Sequence, residues 1–369
     1  MNELTDGTGG SVDAVTGAEI GPDRKSPLVS ICIPTYNGSA FLHTCLESAL
    51  GQTQPDVEVV VVDDASTDET PAIIADYARR DPRIRLYRNP VNLGLSKNRN
   101  RCVDLARGEW IKFLFQDDYL EPECLQEMLK AHGLGALLVV CRRNIVFEPE
   151  TPDAIRTVYE WHLRDHSLPR HFPGCSFISA EAFAAHMVRY PTINCIGEPT
   201  ATLVHHSAFQ RFGRYHKYLI QMADWEFSAR IAVNAGLCYV DDALATFRVH
   251  GKSVSANNRA RHTFRTAEID DLVILHDLVY SPAYAGVRAA ATRCTPPVNL
   301  RHRLLDAARW ARERAYTEAQ GSQTYLSVLE WEEAVRRYPR LVRLSPGYVL
   351  AKVLGKARRR LGRFASVLT

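Results

Sequence analysis

Residues 57–64 read VEVVVVDD, a valine-rich run that stops at two adjacent aspartates. A continuous β-branched run of this length suits a strand buried on both faces. Similar runs flank it. Residues 28–33 (LVSICI) stop at Pro34, residues 84–87 read IRLY, and residues 110–115 (WIKFLF) stop at Gln116-Asp117-Asp118. A fifth, ALLVVC, covers residues 136–141. Between the runs the spacing turns helical. Phe41, Leu42, Cys45, Leu46, Ala49 and Leu50 recur on one face. Thr70-Pro71 places an N-cap threonine before a first-turn proline, and residues 96–106 read as a helix ended by Gly108. Apolar strands separated by helices of about ten residues predict βαβ units and a mostly parallel central sheet flanked by helices.

In such sheets ligands bind beyond the carboxyl ends of the strands. The residues there are Pro34-Thr35-Tyr36-Asn37, Asp63-Asp64-Ala65-Ser66 and Gln116-Asp117-Asp118. Adjacent carboxylates such as Asp117 and Asp118 are hard oxygen donors, suited to Mg²⁺ or Mn²⁺ shared with a diphosphate. They also suit a cap on a helix beginning near Pro122. A carboxylate from Asp63-Asp64 can accept from a base N–H or a ribose hydroxyl, or serve a turn. No GxGxxG follows a strand and no GxxxxGK[ST] occurs, which argues against a dinucleotide site and a P-loop.

Residues 144–197 are less regular, with Trp161, three prolines between Pro169 and Pro191, and several histidines, and predict a loop-rich region. Residues 223–235 read as a helix with Phe227, Ile231 and Ala232 inward. Residues 245–249 read as a strand that delivers Arg248 and His250. Beyond His262 the pattern is helical. The His205-His206 pair reads as structural.

The chain has 369 residues and nine scattered cysteines without a CxxC pair, so reduced, mostly buried thiols of a cytoplasmic protein are expected. Residues 1–26 are polar and Gly-rich, lack the n- and h-regions of a signal peptide, and read as a disordered tail. No apolar run approaches the length of a membrane span. After Glu333 there is no acidic residue but ten basic ones, and without these ten the remaining 35 Lys and Arg face 42 Asp and Glu, a net of −7. An acidic body with a basic tail argues against nucleic acid as partner. In that tail Leu350, Val353, Leu354, Ala357, Leu361 and Phe364 share a helical face opposite Lys352, Lys356, Arg359 and Arg363. Such a helix suits an anionic membrane surface, and equally a packed helix with a solvated basic face.

Taken in order, VSICIPTYN (29–37), VVVVDDASTDET (59–70), NLGLSKNRN (92–100) and ARGEWIKFLFQDD (106–118) resemble the family 2 glycosyltransferases. The resemblance covers roughly residues 28–255. It implies a GT-A fold over residues 27–260, with a nucleotide-binding half (27–143) and an acceptor half (144–260), and leaves residues 261–369 as a helical extension with a basic amphipathic end. It implies that Pro34, Thr35, Tyr36 and Asn37 line the nucleotide, that Asp64 contacts the base, and that Asp117 and Asp118 form the metal motif. Of that pair Asp118 is the direct ligand, with Mg²⁺ or Mn²⁺ as cofactor. Asp224 matches the catalytic base. Arg248 and His250 match a late motif near the donor phosphates, His250 as a further metal ligand.

Two positions depart from the family pattern. Gln116 stands where many members have a third Asp, and Ala223 where many have Glu. The QxxRW motif of processive members is missing, which implies single-sugar transfer.

The activity implied is inverting transfer from a nucleotide-diphosphate sugar, a UDP-sugar favoured, to a glycan or lipid-linked hydroxyl in cell-envelope polysaccharide, lipopolysaccharide or related glycoconjugate synthesis. The setting is cytoplasmic, with a peripheral membrane site through the tail. Read without the resemblance, Asp224 also suits an N-cap for the helix behind it, and His250 a structural histidine. The competing classes are a nucleotidyltransferase, which would carry an early Gly-rich basic loop, and a non-catalytic nucleotide-sugar-binding protein.

Overall fold

A computed structural model describes residues 26–132, 135–251, 253, 263–320 and 325–342. The chain divides into two compact units, residues 1–261 and 262–369. The first opens with β1 (Val29–Thr35), α1 (Leu42–Leu50), β2 (Val57–Asp63), α2 (Thr70–Arg80), β3 (Ile84–Arg88), α3 (Leu95–Leu105) and β4 (Trp110–Phe113). It continues with β5 (Tyr119–Leu120), α4 (Cys124–Ala131), β6 (Leu138–Phe147), α5 (Asp153–His166), α6 (Leu168–His171), β7 (Phe177–Ile178) and α7 (Ala180–Arg189). After a 3₁₀ turn, Pro199–Ala201, come β8 (Thr202–His205), α8 (His206–Phe212), α9 (Ala223–Ala235) and β9 (Leu237–Val249).

The sheet runs β3-β2-β1-β4-β8-β6-β9-β5, with β7 also on β9. Strands β3, β2, β1 and β4 are mutually parallel, whereas β8 is antiparallel to both β4 and β6. Every residue of β1 and β2 is buried, as strands covered by helices on both faces require. Val29, Ile31 and Ile33 join Val59, Val61, Leu42 and Leu46 in one apolar cluster on one face. On the other, Cys32 Sγ meets the Cys102 carbonyl at the end of α3. Each such buried aliphatic side chain contributes roughly 1.5–3 kcal/mol. Glu58, the polar break in the valine run, is satisfied by Ser30 Oγ (2.6 Å), Arg85 (2.7 Å) and the Arg107 amide (2.7 Å).

Three local expectations change. Residues 144–197 carry helices α5 and α7 rather than loops alone. Helix α5 turns a half-buried stripe of Ile155, Tyr159 and Leu163 inward, and Ser179 caps α7, its hydroxyl accepting from the Ala182 amide. The 245–249 strand is the end of a 13-residue strand that begins at Leu237. Thr70 does not cap α2: Glu69 holds the cap position, and the Thr70 hydroxyl accepts from the Gly38 amide at 2.8 Å.

Unit 2 is helical. Helices Asp270–Tyr280, Ala285–Arg293, Leu300–Gln320 and Leu326–Arg337 bury Leu272, Ile274, Leu304, Ala311, Ala315 and Trp331. Ser327 Oγ donates to the Ala315 carbonyl at 2.8 Å, tying the last two together. The basic amphipathic segment, residues 350–364, lies outside the described residues, as do residues 1–25. No helix of the described residues is long and apolar enough to cross a membrane.

Candidate active site

The loops after β1 and β2 are stitched together by side chains. The Asn37 amide donates to Ser66 Oγ (2.9 Å), Asn37 Oδ1 accepts from the Thr67 amide (2.9 Å), and the Ser39 amide donates to Asp68 (3.2 Å). Asn37 and Ala65 both adopt left-handed backbone, with φ of 48° and 62°. Strain of this kind, about 1 kcal/mol or more for a non-glycine residue, persists where surrounding structure enforces it, and such places cluster at functional sites. Gln116 clips the same loop. Its Oε1 accepts from the Tyr36 amide (2.8 Å) and its Nε2 donates to the Tyr36 carbonyl (3.1 Å). Gly38 leaves room for that clip, since a Cβ there would fall 2.2 Å from Gln116 Oε1. Pro34 and Thr35 end β1 itself, and the Tyr36 ring stands 45% exposed beyond it.

Asp64 is buried and both its oxygens are engaged. Oδ1 accepts from Asn89 Nδ2 (2.6 Å) and the Leu93 amide (2.9 Å), and Oδ2 from the Gly94 amide (2.9 Å). The carboxylate therefore shapes the loop that leads into α3. Neighbouring Asp63 pairs with Arg88 at 3.2 Å.

Four other predicted residues meet at the end of β4. Neither Asp117 nor Asp118 caps a helix, because α4 starts at Cys124 with Glu123 in the cap position. Asp118 is 1% exposed. Its Oδ2 accepts from Thr200 Oγ1 at 2.5 Å and its Oδ1 from the Arg248 amide at 2.9 Å. Burial, and then the adjacent Asp117 charge, push its carboxyl well above the usual carboxylate range. Asp117 Oδ2 lies 3.0 Å from His250 Nε2, and its carbonyl accepts from Arg248 Nε at 3.0 Å. The Arg248 guanidinium continues to Glu148 (2.5 Å) and stacks over the Phe41 ring at 4.8 Å. The parallel run of β9 beside β6 delivers Arg248 and His250 here, with Val146 opposite Arg248.

Asp224 sits in the first turn of α9, where Met222 is the cap residue. Its Oδ1 accepts from the Trp225 amide at 2.8 Å. Burial raises its pKa, and the nearby Arg99 guanidinium opposes the rise. Glu198 raises both Asp224 and Asp118, so these two carboxyls share a neighbour.

Arg99, Glu198 and Thr200 carry no role in the sequence analysis. Arg99 is buried and packs over the Tyr215 ring at 4.3 Å, and its Nε has no hydrogen-bond partner among the described residues. It lies within NLGLSKNRN, so that motif carried the signal. Glu198 is ion-paired to Arg143. It and Thr200 lie just past the region read as loop-rich, in a stretch to which local pattern assigned no element.

Among the described residues no three His, Cys, Asp or Glu side chains form a group that could hold a metal ion. A divalent cation shared with a diphosphate needs less, since Mg²⁺ commonly takes one or two carboxylates and completes its shell with phosphate oxygens and water. The adjacent carboxylates Asp117 and Asp118 fit that donor set, with burial first and then the Asp117 charge raising Asp118, a repulsion that a cation would relieve.

The description Glycosyl transferase family 2 matches residues 30–213. The uncharacterized protein MT1568 of Mycobacterium tuberculosis (strain CDC 1551 / Oshkosh) is 32% identical over 285 residues, 76% of this chain and 84% of that one. The chondroitin synthase of Escherichia coli is 40% identical over 144 residues, 38% of this chain but 20% of the synthase. The structure of S. aureus TarS 1-349 in complex with UDP-GlcNAc superposes with a TM-score of 0.57 at 17% identity, over 85% of this chain and 81% of that one, a likeness of fold. The chain belongs to glycosyltransferase family 2 and has the GT-A fold, a central sheet flanked by helices followed by C-terminal helices. Its relatives include an enzyme of polysaccharide synthesis.

Proposed function

We propose that the protein transfers a single sugar from a nucleotide-diphosphate sugar to an acceptor hydroxyl, with inversion at the anomeric carbon. The observation that carries this reading is the meeting of Asp117, Asp118, Arg248 and His250 at one strand end, with Asp224 sharing the neighbour Glu198. In this reading Pro34, Thr35, Tyr36 and Asn37 bind the nucleotide, while Asp64 holds the 93–94 backbone for the base. Asp118, with Asp117, would hold Mg²⁺ or Mn²⁺, which supplies positive charge against the leaving diphosphate. His250 orients Asp117 through its 3.0 Å contact and would serve as a further ligand of that cation. Arg248 supplies a fixed positive charge, anchored by Glu148. Asp224 takes the acceptor proton, and its raised pKa brings it nearer the value a general base needs.

A UDP-sugar is the favoured donor, supported by the complex of TarS with UDP-GlcNAc. Polysaccharide or other envelope glycoconjugate synthesis is the favoured setting, supported by the chondroitin synthase match. The domain division proposed is a transferase domain at 27–260 and a helical region at 261–369. A thermal-shift screen of UDP-, GDP- and dTDP-sugars, with and without Mn²⁺, tests the donor. A ligand that binds only the folded state raises the melting temperature, by about 2.7 kcal/mol of stabilisation at 100-fold excess over Kd. The expected result is a Mn²⁺-dependent rise with one nucleotide, and no rise with any would overturn the reading. NMR of the product anomer tests inversion.

The basic tail suits a lipid-linked acceptor at the inner face of the membrane. The protein is expected to co-sediment with anionic vesicles and to come off at high salt, because charges are screened over about 8 Å at physiological ionic strength. Equal binding to neutral vesicles, or none to either, would favour the packed-helix alternative.

A further inference from the structure

Lys112 occupies the middle of β4, between Ile111 and Phe113, and has no exposed surface. Burying an amino group costs free energy unless a hydrogen bond compensates. Its Nζ reaches the carbonyl of Thr200 at 2.7 Å and lies 3.4 Å from Met128 Sδ. Thr200 belongs to the 3₁₀ turn Pro199–Ala201. The pairing of β4 with β8 runs from Trp110↔His205 to Lys112↔Leu203 and ends short of Thr200. The ladder thus leaves the turn, and Lys112 reaches past it. From its other end Thr200 donates its hydroxyl to Asp118 Oδ2 at 2.5 Å. Lys112 and Asp118 therefore grip the two ends of one residue.

We propose that Lys112 is a positioning residue for glycosyl transfer, fixing the 199–201 turn so that the Thr200 hydroxyl holds the Asp118 carboxylate in one orientation. This rests on the reading of Asp118 as the group that meets the donor diphosphate and its cation. Removing the grip leaves the Asp118 carboxylate free to rotate about its remaining hydrogen bond, from the Arg248 amide. Groups that orient a metal-binding side chain are typically worth 10–100-fold in affinity when removed.

The test uses the full-length protein with Mn²⁺ and UDP as probes. Mn²⁺ affinity is read by electron paramagnetic resonance, beside melting temperature and turnover, for Lys112→Met, Thr200→Val and Thr200→Ser. Lys112→Met fills similar volume and removes a buried amine, which offsets part of the cost of leaving the Thr200 carbonyl unpaired, so it should remain folded while its Mn²⁺ affinity in the presence of UDP falls by roughly 10-fold or more. Thr200→Val should match it, Thr200→Ser should restore binding, and the Lys112→Met/Thr200→Val pair should be no worse than the weaker single variant, because both act through one chain of contacts. Wild-type Mn²⁺ affinity in a folded Lys112→Met protein, or additive losses in the pair, would overturn the proposal. If Lys112→Met aggregates, unchanged affinity in Thr200→Val overturns it equally. Asp118→Asn is measured alongside. Unchanged affinity there sinks the reading of Asp118 itself, whereas loss there with none in Lys112→Met sinks the positioning role alone.

Discussion

Asp224→Asn is expected to bind the nucleotide sugar with nearly wild-type affinity while turnover falls by roughly 10²–10⁴-fold, the usual cost of a lost general base. Asn retains the size and the oxygen that accepts from the Trp225 amide. The local helix start should therefore survive. Burial raises the Asp224 pKa, with Arg99 opposing, and only the ionised form can take a proton, so wild-type activity should fall as pH drops through that raised value. The sign for stability is opposite. A carboxyl whose pKa is higher folded than unfolded contributes stability that is complete below the ordinary carboxylate range and lost as pH rises through the folded value. At neutral pH the ionised Asp224 thus weighs against the fold. The Asn variant should melt no lower than the wild type there, and any advantage should vanish on acidification. Calorimetric donor binding, product formation and melting on one preparation check all three. An Asn variant that turns over at near wild-type rate removes Asp224 from the mechanism.

Loss of Asp118 should be as severe. Asp118→Ala is expected to abolish measurable transfer, at least the roughly 10²–10³-fold lost when one electrostatic contact to a developing charge is removed. EDTA should do the same to the wild type. Asp117→Ala should be milder and should act mainly on donor affinity. Asp117 touches His250 and, through its carbonyl, Arg248, and the alanine keeps the carbonyl contact. Asp118 is buried with its carboxyl pushed up, so removing its charge offsets part of the cost of leaving the Thr200 hydroxyl and Arg248 amide unpaired, roughly 1–3 kcal/mol per group. Inactivity of a variant that stays folded at the assay temperature is then the signature of a site residue. Full activity in EDTA would sink the metal assignment.

Lys112 shows where local pattern stops being informative. In WIKFLF it reads as one polar residue in an apolar run. Its meaning comes from Thr200, 88 residues away. Asp64 shows a different limit. Its place at a strand end was legible, but all three N–H donors that fill its oxygens, the Asn89 carboxamide and the Leu93 and Gly94 backbone amides, come from the stretch at 89–94. The helices of 144–197 escaped for a third reason: α5 has apolar residues at helical spacing, Ile155, Tyr159 and Leu163, but they are only half-buried and lie among prolines and histidines that read as loop.

By itself the sequence determined the parallel half of the sheet, because strands buried on both faces must be apolar at every position and must stop where the chain leaves the core. The runs at 28–33 and 57–62 follow from that rule, while IRLY at 84–87 alternates, as an edge strand buried at Ile84 and Leu86 does, and the three together set the edge at which polar side chains gather. The ordered motifs determined the family for the same reason, being the segments bound to those strand ends. Tertiary structure decided which of the polar residues meet. Asp118 takes its two hydrogen bonds from Thr200 and Arg248, 82 and 130 residues distant, through an antiparallel β8 and a long β9 that no local periodicity encodes. Such contacts depend on long-range strand pairing and on the desolvation that pairing imposes, and both arise only when the chain is folded.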